Sequence, residues 1–160
     1  MSRILFDTRK QVPHGTFIAF EDLHRPAEGR PNIETTLGSG EIITGFTIPA
    51  APWTRRSLYL KVRDRASYEF ALASAAVALD LDGDQVRGAR IALGGVGYRP
   101  RRATAAEAVL IGKPLTEAAA EAAARAAFAG AVVHANNAYK PELGRRTLVR
   151  ALLQARALEA

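Results

Sequence analysis

Three cations in one short run are the first residues whose type and spacing could do chemistry: Lys61, Arg63 and Arg65 in Lys61-Val62-Arg63-Asp64-Arg65. At alternating positions of an extended segment they share one face. Three like charges side by side repel unless an anion or carboxylates offset them. Two readings stay open: a solvated strand face, with Asp64 and Glu69 nearby, or a surface for an anionic cofactor or an acidic partner. Gly94-Gly95-Val96-Gly97 follows a strand pattern and precedes a helical one, where backbone N–H groups could cradle phosphate. It lacks the G-x-G-x-x-G spacing and lies before Pro100, so it reads as a tight structural loop. Asp80-Leu81-Asp82-Gly83-Asp84 opens like a calcium loop, but such a loop needs glycine sixth and glutamate twelfth. Here those places do not match, and the segment reads as a hairpin turn. His14, His24 and His134 fall in no metal spacing. Ser67 and Ser74 lie in no G-x-S-x-G elbow, and no carboxylate pair stands out for acid–base work. The residues therefore offer no self-contained catalytic constellation and no metal site.

The elements that must position these residues come from a chain of 160 residues, long enough for one domain with a real core. Hydrophobic residues make up 48% of it, which argues against global disorder. Cysteine is absent, so disulfides, cysteine-ligated Fe–S clusters and thiol catalysis are excluded for these residues. No apolar run reaches the roughly 20 residues of a membrane span. No secretory signal is visible at the N-terminus, and a cytoplasmic location is the expectation. The net charge is +6, and only Lys10, Lys61, Lys113 and Lys140 are lysines among the basic residues. Arginine suits ion pairs and anion contacts. The basic residues are scattered, without the aromatic interleaving of a nucleic-acid groove, so no nucleic acid and no membrane is expected as a partner.

Residues 1–15 are expected to form a flexible N-terminal tail, 16–40 a connector and 41–160 the main domain. Ile42, Thr44, Phe46 and Ile48 alternate up to Pro49, which predicts a strand over 41–48. A second strand is expected at about 57–65. Residues 68–81 and 85–94 predict a hairpin turning at Asp82-Gly83. The alanine content of 68–81 favours helix, but its apolar residues do not form one helical stripe. Beyond Pro100, Thr104-Ala105-Ala106-Glu107 fits a capping box and starts a helix that stops at Gly112. Pro114 and Thr116 open an alanine-rich helix running to about Gly130, and Lys140-Pro141-Glu142 begins a third. Strands first and helices afterwards predict an α+β fold, a small antiparallel sheet covered by helices.

Several segments, in order, resemble one family. They are Phe20-Glu21-Asp22-Leu23-His24, Thr36-Leu37-Gly38-Ser39-Gly40-Glu41-Ile42-Ile43-Thr44, and Lys61 through Ser74. Gly94-Gly95-Val96 with Arg99-Pro100 and Arg102-Ala103, and Ala138-Tyr139-Lys140 with Arg145-Arg146, complete the set. From about residue 17 to the end, the chain resembles the C-terminal domain of the FAD-binding (medium) subunit of molybdenum hydroxylases, of the xanthine dehydrogenase, CO dehydrogenase and aldehyde oxidoreductase type. The resemblance implies a small antiparallel sheet of about three strands beside a three-helix bundle, in a domain that closes one side of a flavin site and supports electron transfer and subunit assembly. It places Ile43 against the isoalloxazine ring and brings Lys61 near the flavin, where a cation favours the anionic reduced form. It implies a molybdopterin large subunit and an Fe–S small subunit as partners. The family's FAD-gripping glycine-rich segments are not among these residues. FAD is therefore expected to be shared with an N-terminal domain or a separate FAD-binding chain, not bound by this chain alone. The isolated chain is expected not to be catalytic, although it is an oxidoreductase component. The alternative is a structural or interaction module of a multisubunit oxidoreductase with no flavin contact.

Overall fold

The computed structural model describes residues 5–6, 18–26, 28–30 and 32–158. They pack as two units, Met1–Ala50 and Ala51–Ala160. In the first, β1 (Leu5–Phe6) pairs antiparallel with β2 (Ile18–Ala19), and α1 (Phe20–Leu23) follows directly. Leu5 and Phe6 thus form a strand inside the segment expected to be a tail; the rest of that segment lies outside the described residues. The turn after α1 is closed by Thr36 N–H donating to Leu23 O at 2.8 Å and Arg25 N–H to Glu34 O at 2.9 Å.

The strand expected over 41–48 does not form. Residues 41–50 take part in no ladder, and Ile42, Phe46 and Ile48 are 55%, 55% and 64% exposed. Alternation supplies only one requirement of a strand. The gain comes from a strand paired alongside, and this segment has none. Gly45 in its middle and Pro49 at its end further weaken the extended state.

The second unit opens with a 3-10 turn at Pro52–Thr54. Its sheet runs β3 (Arg56–Val62), β4 (Ala73–Asp82), β5 (Gln85–Gly94) and β6 (Arg101–Arg102), in that order and antiparallel throughout. The expected hairpin is β4–β5. Its two-residue turn places Gly83 at φ +57°, a conformation glycine adopts without penalty at the first turn position. Three helices follow: α2 (Thr104–Leu110), α3 (Glu117–Ala127) and α4 (Lys140–Arg156). The architecture is therefore the α+β fold expected, with a two-residue fourth strand added at the sheet's edge.

Strand won over helix for the alanine-rich stretch because its burial has period two. Ala73, Ala75, Val77 and Leu79 are buried, and from β4 they join Ile91 and Leu93 of β5 beneath the helices. The small side chains of β4 leave room for α4, which packs on β3 and β4 with Leu148, Ala151, Leu152 and Ala155 fully buried. Each such leucine stabilises the fold by about 1.5–3 kcal/mol relative to exposure. α3 bridges α2 and α4 through Ala120, Ala123 and Ala124. Thr116 caps α3, its Oγ1 accepting from Ala119 N–H at 3.2 Å.

The capping box expected at Thr104–Glu107 is absent; Ala103 holds the cap position of α2. Glu107 turns inward instead. Its Oε1 accepts from Ile91 N–H at 2.9 Å, and both carboxylate oxygens accept the Arg102 fork at 2.9 Å. β6 is only two residues long, so the glutamate supplies the acceptor that a longer strand would have given β5. A buried N–H and a guanidinium are better partners for a carboxylate than a water-accessible cap N–H.

Candidate functional site

β3 alternates cleanly: Leu58 and Leu60 pack on the core, while Ser57, Tyr59 and Lys61 point to the other face. The strand ends at Val62, so Arg63 and Arg65 do not continue a cationic row. They lie in the exposed loop 63–72, where Arg65 Nε pairs with Glu69 Oε2 at 3.0 Å and Arg65 Nη2 donates to Tyr68 O at 2.7 Å. That offsets the like-charge repulsion that the sequence left unresolved.

Lys61 is half-buried, and its Nζ donates to Glu69 O at 2.5 Å. An ammonium has three donors, so two remain for other acceptors. The loop it holds carries two aromatic rings outward, Tyr68 at 98% and Phe70 at 94% exposure. Tyr68 sits at φ +52°, the left-handed region that costs a side-chain-bearing residue of order 1 kcal/mol or more. These two rings were missed as site candidates by reasoning from periodicity. Their signal was an aromatic pair at positions i and i+2 in a segment that belongs to neither flanking strand.

The glycine loop Gly94-Gly95-Val96-Gly97 is structural, as expected. Gly95 has φ +72°, and a Cβ there would stand 2.7 Å from Ala71 O. The loop after β5 therefore lies backbone to backbone against the end of loop 63–72. Lys140, the first residue of α4, reaches the same place: its Nζ donates to Leu72 O and Gly95 O, each at 3.0 Å.

Ile43, the other residue assigned by resemblance, lies in the first unit and is 37% exposed in a segment without strand pairing. Asp80 and Asp82 flank the hairpin turn and face Arg87 at 3.6 and 3.8 Å. His24 packs edge-on against Phe20, with centroids 5.4 Å apart. Among the described residues no three His, Asp or Glu side chains gather as a metal site. Among them, too, no helix is long and apolar enough to cross a membrane. An open groove between α3 and α4 is lined by charges of both signs, among them the pairs Glu121 with Arg125 at 3.6 Å and Glu142 with Arg146 at 2.8 Å. Hydrogen bonds from Arg146 and then Arg145 hold the Glu142 carboxyl below its ordinary value.

The family described as the CO dehydrogenase flavoprotein C-terminal domain matches residues 58–155, from β3 through nearly all of α4. The FAD-binding subunit PaoB of aldehyde oxidoreductase from Escherichia coli K12 is 41% identical over 140 residues, which cover 88% of this chain and 41% of that subunit. The nicotine 6-hydroxylase medium subunit of Paenarthrobacter nicotinovorans is 35% identical over 127 residues, covering 73% of this chain and 43% of that subunit. Among solved structures, a chain of Cu,Mo-CO dehydrogenase superposes with TM-score 0.81 at 27% identity, over 97% of this chain and 54% of the other. The carbon monoxide dehydrogenase of Hydrogenophaga pseudoflava gives TM-score 0.80 at 27% identity, over 98% and 55%. The chain thus spans less than half the length of these curated relatives and about half that of the solved chains. The sheet, the three helices and the sequence match over β3–α4 agree, and the chain belongs to the CO dehydrogenase flavoprotein C-terminal domain family, the C-terminal domain of the FAD-binding medium subunits of molybdenum hydroxylases.

Proposed function

We propose that this domain forms one wall of a flavin site in a molybdenum-hydroxylase-type oxidoreductase and supports electron transfer there, with Lys61 and loop 63–72 as the wall in the second unit. The observation that carries this reading is the loop itself. Lys61 anchors it through Glu69 O, and it presents Tyr68 and Phe70 almost wholly uncovered. Two exposed rings on a loop tied to an ammonium fit a planar, largely apolar ring system with an electron-rich edge. The flavin ring is such a group; when bound, it accepts and releases electrons. Lys61 would steady negative charge on that ring by the opposite-charge argument. Ile43 is the contact assigned in the first unit, and it rests on the family resemblance alone.

FAD is then held jointly, with other residues of the flavoprotein gripping the remainder of the cofactor. A molybdopterin large subunit and an Fe–S small subunit are the partners, and substrate chemistry belongs to the large one. The test is Lys61→Ala in the assembled complex, read by flavin absorption and by the rate of flavin reoxidation. We expect a shifted spectrum and a lower flavin potential at unchanged assembly. Unaltered flavin properties would reject the reading.

A second reading, an interaction module without flavin contact, draws support from the segment between α3 and α4, which exposes Val132 (79%), Val133 (48%) and Tyr139 (52%). It predicts that Lys61→Ala leaves the flavin untouched, whereas Val132→Asp weakens assembly.

A further inference from the structure

We propose that Lys140 is a positioning residue for the loop bearing Tyr68 and Phe70, acting through two backbone carbonyls and not on the cofactor. The proposal rests on the flavin-facing reading of that loop. Lys140 stands in the first turn of α4, where the helix dipole disfavours a cation. Its placement is explained by what its Nζ holds: Leu72 O and Gly95 O, at 3.0 Å each, across 68 and 45 residues of sequence. Leu72 N–H is fixed in turn by Val62 O at 2.9 Å, so both backbone groups of the loop's last residue are tied. The close approach at Gly95 leaves no room for a side chain between the two loops. Their carbonyls therefore meet around one ammonium.

Lys61 restrains the middle of loop 63–72 through Glu69 O, and Lys140 restrains its end. Just before these anchors Tyr68, whose carbonyl accepts from Arg65 Nη2 at 2.7 Å, keeps a left-handed backbone, which persists only where the surroundings over-determine it. Tyr68 and Phe70 bury almost nothing. The loop's shape is thus set chiefly by its anchors, and loss of one is read as local opening, not global unfolding.

The experiment pairs two measurements on Lys140→Met, which keeps the stem and removes the donors, and on Lys140→Arg. By hydrogen exchange on the full chain, Lys140→Met should speed exchange of the Leu72 amide, which donates to Val62 O, by about tenfold or more, leaving the β4 and α3 amides unchanged. Lys140→Arg should recover part of the protection. In the assembled holoenzyme, Lys140→Met should shift the flavin absorption and midpoint potential in the same direction as Phe70→Ala. Unchanged exchange at Leu72 overturns the proposal, as does acceleration spread across the whole sheet. A flavin that responds to Phe70→Ala but not to Lys140→Met overturns it while leaving the flavin wall intact. Local opening with a flavin indifferent to both variants means the flavin wall itself is wrong, and the positioning role falls with it.

Discussion

Glu107→Ala is the substitution whose cost the structure allows to be worked most fully. Glu107 is 5% exposed, and its carboxylate accepts from Ile91 N–H and from the Arg102 fork. Truncation leaves the N–H of Ile91, a residue only 1% exposed, without its acceptor. An orphaned buried donor costs about 1–3 kcal/mol. The Arg102 side chain is 43% exposed, so water recovers most of what the ion pair contributed, and that loss is about 0–1 kcal/mol. Alanine returns a few tenths through helix propensity. The expected destabilisation is therefore about 1–3.5 kcal/mol. Glu107→Gln keeps an oxygen for Ile91 but loses the charge and sets its NH2 against the Arg102 Nη2 donor, so it should cost about 1 kcal/mol. Urea unfolding followed by circular dichroism measures both, as shifts in midpoint at constant slope. A double-mutant cycle with Arg102→Ala isolates the coupling between the two side chains. A Glu107→Ala protein within about 0.5 kcal/mol of the parent would refute the account of this carboxylate as the missing ladder acceptor.

Gly144 lies where α4 crosses Phe128, and an added Cβ would stand 2.7 Å from the ring's Cε1 and nearer still to Cζ. Gly144→Ala should therefore lower stability by about 1–3 kcal/mol, against the roughly 1 kcal/mol that alanine offers a helix. Phe128→Ala in the same chain should turn the substitution from costly to favourable; a higher melting temperature for Gly144→Ala alone would contradict the packing argument. Glu142, held below its ordinary value of 4.5 by Arg146 and Arg145, contributes stability that is present above that value and is lost as pH falls through the lowered one. Stability-versus-pH curves of the parent and Glu142→Gln should differ at neutral pH and converge in acid; a gap unchanged down to about pH 2 would count against the pairing.

The sequence by itself determined the α+β class, the β4–β5 hairpin and the three helices. Those features are written locally. Gly83 suits the turn, Thr116 can cap α3, Pro141 fits the first turn of α4, and Leu148 and Leu152 fall on one helical face. The order of family segments, with Lys61 among them, was equally legible because it needs no contact to be read. Tertiary structure decided whatever depends on a partner distant in sequence. The alternation at 41–48 had no ladder to join, so the residues there stay outside any sheet. Glu107 left its expected cap because Ile91, sixteen residues earlier, offered a buried donor. Lys140 gained its two carbonyls only when α4 packed beside the ends of β4 and β5. Spacing records what neighbours along the chain can do for one another, whereas hydrogen bonds between distant residues are chosen by which groups the packed core brings into reach.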